Sequence, residues 1–180
     1  DVAAAALEAG AVVINDVSGF VHDPGMPDLL GRERPIAIAM HMRGNPPDMQ
    51  LRTGYRSLLA ECVGELWRNA SLALDAGLPL DHLWLDPGFG FSKTWDQNLQ
   101  LLADLDLFAA LGRPVLVGVS RKSFIGRVLD RPSPGDRLFG TAAAVALAVS
   151  AGARIVRVHD VAQMRDVVHV AHAIARAVSR

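Results

Sequence analysis

The chain has 180 residues, 51% of them hydrophobic and 21% charged, so it carries material for one packed core and falls outside the disordered and fibrous classes. Lys and Arg number 18 against 19 Asp and Glu, a net charge of -1; this excludes a broad electrostatic footprint for nucleic acid or a membrane surface and leaves only local anion sites. Cys62 is the single cysteine, which rules out an intrachain disulfide or cysteine-rich zinc site and fits a reducing cytoplasm; no apolar run reaches the roughly 18 residues of a membrane span.

The first predicted element is a helix over Ala3 to Ala9, stopped at Gly10; with Asp1 rather than Met in first position and no basic leader segment, the chain is expected to begin inside an element and to carry no export signal. Five short β-rich runs follow, each ending in polar residues. Val12-Val13-Ile14 leads into Asn15-Asp16, and Ile36 to Met40 leads into His41. Leu83-Trp84-Leu85 leads into Asp86-Pro87-Gly88, Val115 to Val119 into Ser120-Arg121-Lys122, and Ile155 to Val158 into His159-Asp160. Helices are predicted between them over 58–76, 98–111, 141–151 and 161–178; in the first, Leu59, Cys62, Val63, Leu66 and Ala70 recur at three- and four-residue steps, as an inward stripe does. Strands alternating with helices predict right-handed βαβ units, a parallel sheet and one domain over 1–180. Periodicity leaves two architectures open, a doubly wound sheet and part of a (β/α)8 barrel, the chain being short of the roughly 250 residues of a whole barrel.

Four clusters at the strand ends carry polar chemistry. Asp86 to Thr94 places a carboxylate before a turn with two glycines and two phenylalanines, which reads either as a ligand-facing loop or as an Asp-Pro-Gly turn closing on its own backbone. Gly118 to Gly126 sets Arg121, Lys122, Ser120 and Ser123 at a strand-to-helix junction, where anions are favoured, although a solvated basic turn has the same composition. In Arg157-Val158-His159-Asp160, alternation puts Arg157 and His159 on one face, facing either an anion or, for Arg157, a core salt bridge with Asp160 or Asp86. His41, between Met40 and Met42, reads as a core histidine; His22, His82, His169 and His172 lack ligand spacing and read as surface residues. Gly140-Thr141 reads as a helix N-cap.

Five blocks in this order resemble dihydropteroate synthase over the whole chain: Ile14-Asn15-Asp16-Val17-Ser18-Gly19, Met40-His41-Met42-Arg43-Gly44, Asp86-Pro87-Gly88-Phe89-Gly90-Phe91-Ser92-Lys93, Ser120-Arg121-Lys122-Ser123 and Arg157-Val158-His159-Asp160-Val161. Ser92 stands where many family members have Gly, a departure expected to perturb that turn. The resemblance implies a (β/α)8 TIM barrel of which the five runs are strands four to eight, so that this chain is a C-terminal portion. It implies condensation of 6-hydroxymethyl-7,8-dihydropterin pyrophosphate with 4-aminobenzoate to 7,8-dihydropteroate and pyrophosphate, in a cytoplasmic homodimer.

By the same resemblance Asp86 accepts the two donors of the pterin edge, Asn15 and Lys122 address the other ring heteroatoms, Gly90 allows close backbone approach and Phe91 contacts the ring. Arg157, His159 and magnesium meet the charge of the departing pyrophosphate, so that Lys122, Arg157 and His159 are the catalytic candidates; no side-chain nucleophile is needed. Ser120 and Ser123 are candidates for the 4-aminobenzoate side. No metal ligand is expected within the chain itself, because the family's magnesium-binding Asn, its two mobile loops and its strand-three Asp precede the matched part. The 180 residues alone are therefore expected not to turn over. Two other readings stay open: a non-catalytic pterin-binding module, and a pterin-dependent corrinoid methyltransferase, which has no pyrophosphate to hold.

Overall fold

The computed structural model describes residues 1–178. Helix α1 (Val2–Glu8) leads into β1 (Val13–Asp16), and α2 (Met26–Glu33) into β2 (Ile36–Met40). The long α3 (Leu58–Asp75) precedes β3 (Leu83–Asp86); α4 (Trp95–Ala103) and the short α5 (Asp106–Ala109) precede β4 (Leu116–Val117). Then come α6 (Ser123–Leu129), α7 (Leu138–Ser150), β5 (Ile155–Val156) and α8 (Val161–Val178).

All strand pairings are parallel, with β1 beside β2, β2 beside β3 and β4 beside β5, and a bridge from Leu85 to Val115 joins the two groups. Spatial order thus follows chain order. A doubly wound sheet reverses its strand order at a switch point, whereas a barrel wall adds each strand beside the last, so this arrangement is an arc of a (β/α)8 barrel.

The pleat divides each strand between two environments. Ile14, Ala37 and Leu83 lie side by side in register and join α3's Cys62, Leu66, Ala70 and Ala73 in the sheet-to-helix core. The small Ala37 and Ala39 let that helix sit close to the strands. On the opposite, barrel-interior face Asn15, Ile38 and Trp84 form one row and Met40 pairs with Asp86 in the next. Polar residues therefore occupy the interior face only near the C-terminal ends of the strands.

The sequence expectation lacked α2 and α6 and drew α4 and α5 as one helix, and two helix starts differ by three residues. Helix α4 begins at Trp95, three residues before the predicted start, because Thr94 and Gln97 form a reciprocal capping box. Helix α7 begins at Leu138, so Thr141 lies inside it and is not its N-cap; the fully buried Thr141 hydroxyl instead accepts the Arg121 N–H at 3.0 Å. The periodic apolar pattern locates helix interiors well and leaves their first turn to such local bonds. No helix among the described residues is long and apolar enough to cross a membrane.

Candidate active site

The C-terminal ends of β1, β3, β4 and β5 bring six of the sequence-selected residues together. Asp86 closes β3 and is almost wholly buried; its Oδ1 accepts the Gly88 N–H at 2.8 Å. Its Oδ2 is the buried side-chain polar atom among the described residues that has no hydrogen-bond partner, and Arg157 Nη2 stands 3.7 Å from it. One carboxylate oxygen thus closes the turn, and the other has no hydrogen bond and stands in ion-pair range of Arg157. Arg157 also donates through Nη1 to Asn15 Oδ1, tying β5 to β1 across the interior. Lys122 Nζ lies 4.5 Å from the Phe91 ring centre, and its chain passes so near Gly90 that a Cβ there would stand 3.2 Å from Nζ. Asn15, Arg157 and Asp86 are thus joined by contacts, as are Gly90, Phe91 and Lys122, and the Lys122 charge acts on Asp86.

Burial pushes the Asp86 carboxyl up, against the Gly88 N–H and the nearby cations Arg157, Lys93 and Lys122, which favour the anion. Burial likewise pulls Lys122 down. Arg157 forms an ion pair with the buried Asp86 at 3.7 Å, one of the two pairings its position allowed, and keeps half of its side chain exposed (48%).

His159 and Ser120 form a second pair. Ser120 Oγ accepts the His159 backbone N–H at 3.2 Å and lies 2.9 Å from Nδ1. The hydroxyl has one donor and two acceptor sites, so it can meet Nδ1 in either ring tautomer while it holds the His159 backbone. Ser123 opens α6 exposed, with no side-chain hydrogen bond among the described residues, so the structure brings it near the junction without pairing it.

Arg121 departs from the anion-site expectation. Its guanidinium makes a forked contact with Asp160, Nε to Oδ2 at 3.1 Å and Nη2 to Oδ1 at 2.5 Å. Asp160 therefore pairs with Arg121 and not with Arg157. Arg121 sits at φ +57°, a left-handed conformation held by Thr141 on its N–H and by the buried Arg137, which donates to its carbonyl at 2.8 Å. Arg137 also donates to the carbonyls of Arg131 and Pro132, and nothing in the residue pattern announced that role.

Behind the Asp86 turn lies a polar network that residue patterns did not reveal. His41 is buried as expected, but its neighbours are charged: Lys93 Nζ is 2.9 Å from Nδ1, and Nε2 is 3.0 Å from Glu65. Arg43 reaches Glu65 and Glu61 and stacks over Tyr55 at 3.9 Å. Ser92, the departure from the family pattern, is buried at φ +46°; its hydroxyl accepts the Arg43 N–H at 2.9 Å and its carbonyl the Tyr55 hydroxyl at 3.0 Å, bonds that offset the left-handed strain. The membership of His41, Arg43, Ser92 and Lys93 in the motif blocks was the signal offered for this network.

Desolvation lowers the His41 pKa from 6.5 to about 4, so the ring is neutral at physiological pH. The unfolded chain then binds the extra proton between those two values, and stability contributed by neutral His41 is lost as pH falls through that window. Unfolding free energy is expected to drop with a slope approaching about 1.4 kcal/mol per pH unit from this residue. Denaturant unfolding at stepped pH checks it: His41→Gln should flatten the slope, and an unchanged slope would assign the acid sensitivity elsewhere.

With this geometry in view, the comparisons with known proteins are direct. The family model described as pterin binding enzyme matches residues 1–159. This chain belongs to the pterin-binding enzyme family. It is 44% identical over 176 residues to the dihydropteroate synthase of Synechocystis sp., covering 98% of this chain and 61% of that protein. The dihydropteroate synthase of Thermus thermophilus, solved in complex with 6HMPPP, superposes with a TM-score of 0.87 at 43% identity, over 93% of this chain and 66% of that one. The same enzyme in complex with 4-aminobenzoate gives 0.89 at 43% identity, over 96% and 69%. The chain spans between 54% and 62% of the curated relatives of this family that it resembles in sequence. These superpositions agree with the arc of barrel wall read from strand order.

Proposed function

We propose that this pterin-binding chain serves dihydropteroate synthesis, joining 6-hydroxymethyl-7,8-dihydropterin pyrophosphate to 4-aminobenzoate with release of pyrophosphate. The observation that carries the reading is the unpartnered, buried Asp86 Oδ2 beside three cations. A lone buried acceptor is costly unless a ligand supplies its donor, and the pterin 2-amino and N3–H groups present two donors in one plane, matched to one carboxylate. Asn15 and Lys122 address the remaining ring heteroatoms, Gly90 admits the ring edge and Phe91 contacts its face.

The chemistry asks the protein for charge placement and no side-chain nucleophile. The C–O bond to pyrophosphate breaks, the cation delocalises into the dihydropterin, and the aniline nitrogen attacks the methylene carbon and sheds its proton. Arg157 and His159 meet the negative charge that develops on the leaving group, and Lys122 serves both ring and pyrophosphate. Ser120, paired with His159, and Ser123 lie on the side assigned to 4-aminobenzoate. The corrinoid methyltransferase reading has no use for this set of cations.

Magnesium belongs to the family expectation, but the described residues do not fit a site for it: no group of three His, Cys, Asp or Glu could hold an ion. No step is routed through it. A second copy of the chain is the proposed partner, supported by Phe139 and Leu147 on α7 and Ile174 on α8, which are all strongly exposed. A cytoplasmic setting is supported by the single, buried and unpaired Cys62.

The test has two arms. Equilibrium binding should show the pyrophosphate ester of the pterin held at least about tenfold tighter than 6-hydroxymethylpterin, and product analysis of the complete enzyme should show dihydropteroate and pyrophosphate in equal amounts, with none from the 180 residues alone. Binding without product supports the non-catalytic module. Failure to bind either pterin withdraws the assignment.

A further inference from the structure

We infer that Lys93 is a positioning residue for pterin recognition: its buried ammonium ties the Gly88–Phe91 turn to the end of β2 and supplies a fixed cation behind Asp86. The inference deepens the proposed function and rests on its reading of Asp86 as the pterin acceptor.

Lys93 is 3% exposed, and its ammonium has three N–H groups and three partners: His41 Nδ1 at 2.9 Å, the Phe91 carbonyl at 3.1 Å and the Gly88 carbonyl at 3.2 Å. None is left for a ligand, so Lys93 acts on the site through what it holds. Both carbonyls belong to the turn that carries Gly90 and Phe91. The turn itself is closed by Phe91 N–H donating to the Gly88 carbonyl at 3.1 Å. Gly88 then links ammonium to carboxylate, since its N–H donates to Asp86 Oδ1 while its carbonyl accepts from Lys93.

The other side of Lys93 is anchored with equal care. His41 takes the Lys93 proton on Nδ1, which places its own proton on Nε2 and directs it to Glu65 of α3 at 3.0 Å. The His41 backbone N–H donates to the Asp86 carbonyl at 2.9 Å, so β2 holds the same carboxylate residue from its main chain. Gly88 must be glycine here: it sits at φ +74°, and a Cβ would stand 1.9 Å from the His41 carbonyl oxygen. The close approach brings Lys93 within reach of both strands.

Charge gives the arrangement its second effect. The cations facing Asp86 are Arg157 from β5, Lys122 from the start of α6, and Lys93. Those facing Lys93 are Arg43 on the repulsive side, with Asp86, Glu65 and the Cys62 thiol opposing it. Burial pulls Lys93 down to about 8, which still leaves it largely protonated at neutral pH. Arg157 is half exposed and points toward the pyrophosphate end, so Lys93 is the cation that stays behind Asp86 whatever ligand is bound.

Lys93→Met keeps the side-chain length and removes the charge. Binding of 6-hydroxymethylpterin is measured by calorimetry from neutral to alkaline pH, with inorganic pyrophosphate as the probe of the Arg157 end. The variant should bind the pterin about tenfold more weakly at neutral pH. The loss should shrink as pH rises, because Asp86 without its rear cation releases its proton only at higher pH; pyrophosphate affinity should stay within about twofold. A pterin affinity like that of the wild type, or a loss equal at every pH, overturns the inference. Should Lys93→Met not fold, Glu65→Gln removes the charge at the far end of the relay from a partly exposed helix position. It should weaken pterin binding about two- to threefold with the same pH trend, and unchanged binding counts against Lys93. Wild-type protein that binds no pterin overturns the parent reading; wild-type binding with an unaltered variant overturns only this one.

Discussion

In the complete enzyme, Arg157→Ala is expected to lower kcat/KM for the pyrophosphate ester by about 10²–10³-fold, with kcat falling alongside, as on loss of one preorganised donor to developing charge. The reason lies in its placement. One guanidinium edge is spent on Asn15 and approaches Asp86, while half of the side chain remains open at the strand ends. The Ala variant loses the cation that meets the leaving group and the tie between β5 and β1. The two effects separate by ligand: 6-hydroxymethylpterin, which carries no pyrophosphate, should lose affinity far less than its ester. Equal losses for both ligands would show that Arg157 acts through the Asn15 and Asp86 contacts alone, and the leaving-group role would be withdrawn.

Asp86→Asn is expected to weaken dihydropterin binding by about 1.5–3 kcal/mol, or roughly tenfold to a hundredfold, the range for a hydrogen bond to a charged group. Asn offers one acceptor and one donor where the pterin edge brings two donors. The change should not destabilise the fold in proportion. Asn Oδ1 can still accept the Gly88 N–H, and the buried, unpartnered Oδ2 with its desolvation cost is removed. Thermal unfolding beside equilibrium binding of a pterin analogue makes the comparison. Unchanged binding would return Asp86 to a purely structural turn, and a large fall in melting temperature would point the same way.

Much of this site was legible in the residues because its chemistry is local in the chain. Each strand end carries its polar residues within a few positions of an apolar run, and any parallel α/β fold gathers the C-terminal ends of its strands on one side. Asn15, Asp86, Lys122 and Arg157 could therefore be grouped before any contact was known. Alternation puts Arg157 and His159 on one strand face, but β5 ends at Val156, and one reaches Asn15 and Asp86 and the other Ser120. Strand periodicity says which side a residue faces and nothing about which neighbour it meets.

The pairings of charge were not legible. Asp160 is three residues from Arg157 but binds Arg121, and Glu65 reaches His41 and Arg43 from the middle of a helix that reads as an ordinary amphipathic one. His41 looked like a core residue among methionines because burial was readable and its partners, 24 and 52 residues away, were not.

By itself the sequence determined the parallel α/β class, the five strands, the side of the sheet on which the site lies and the family to which the chain belongs. Those follow from short-range periodicity and from motifs whose residues act close to where they stand in the chain. Periodicity left barrel and doubly wound sheet open and the motif resemblance pointed to the barrel; the tertiary structure showed it, because strand order is a long-range property that no local pattern encodes. It alone showed one oxygen of Asp86 without a partner and Lys93 buried behind it, since desolvation and hydrogen-bond satisfaction depend on every segment packed around a group.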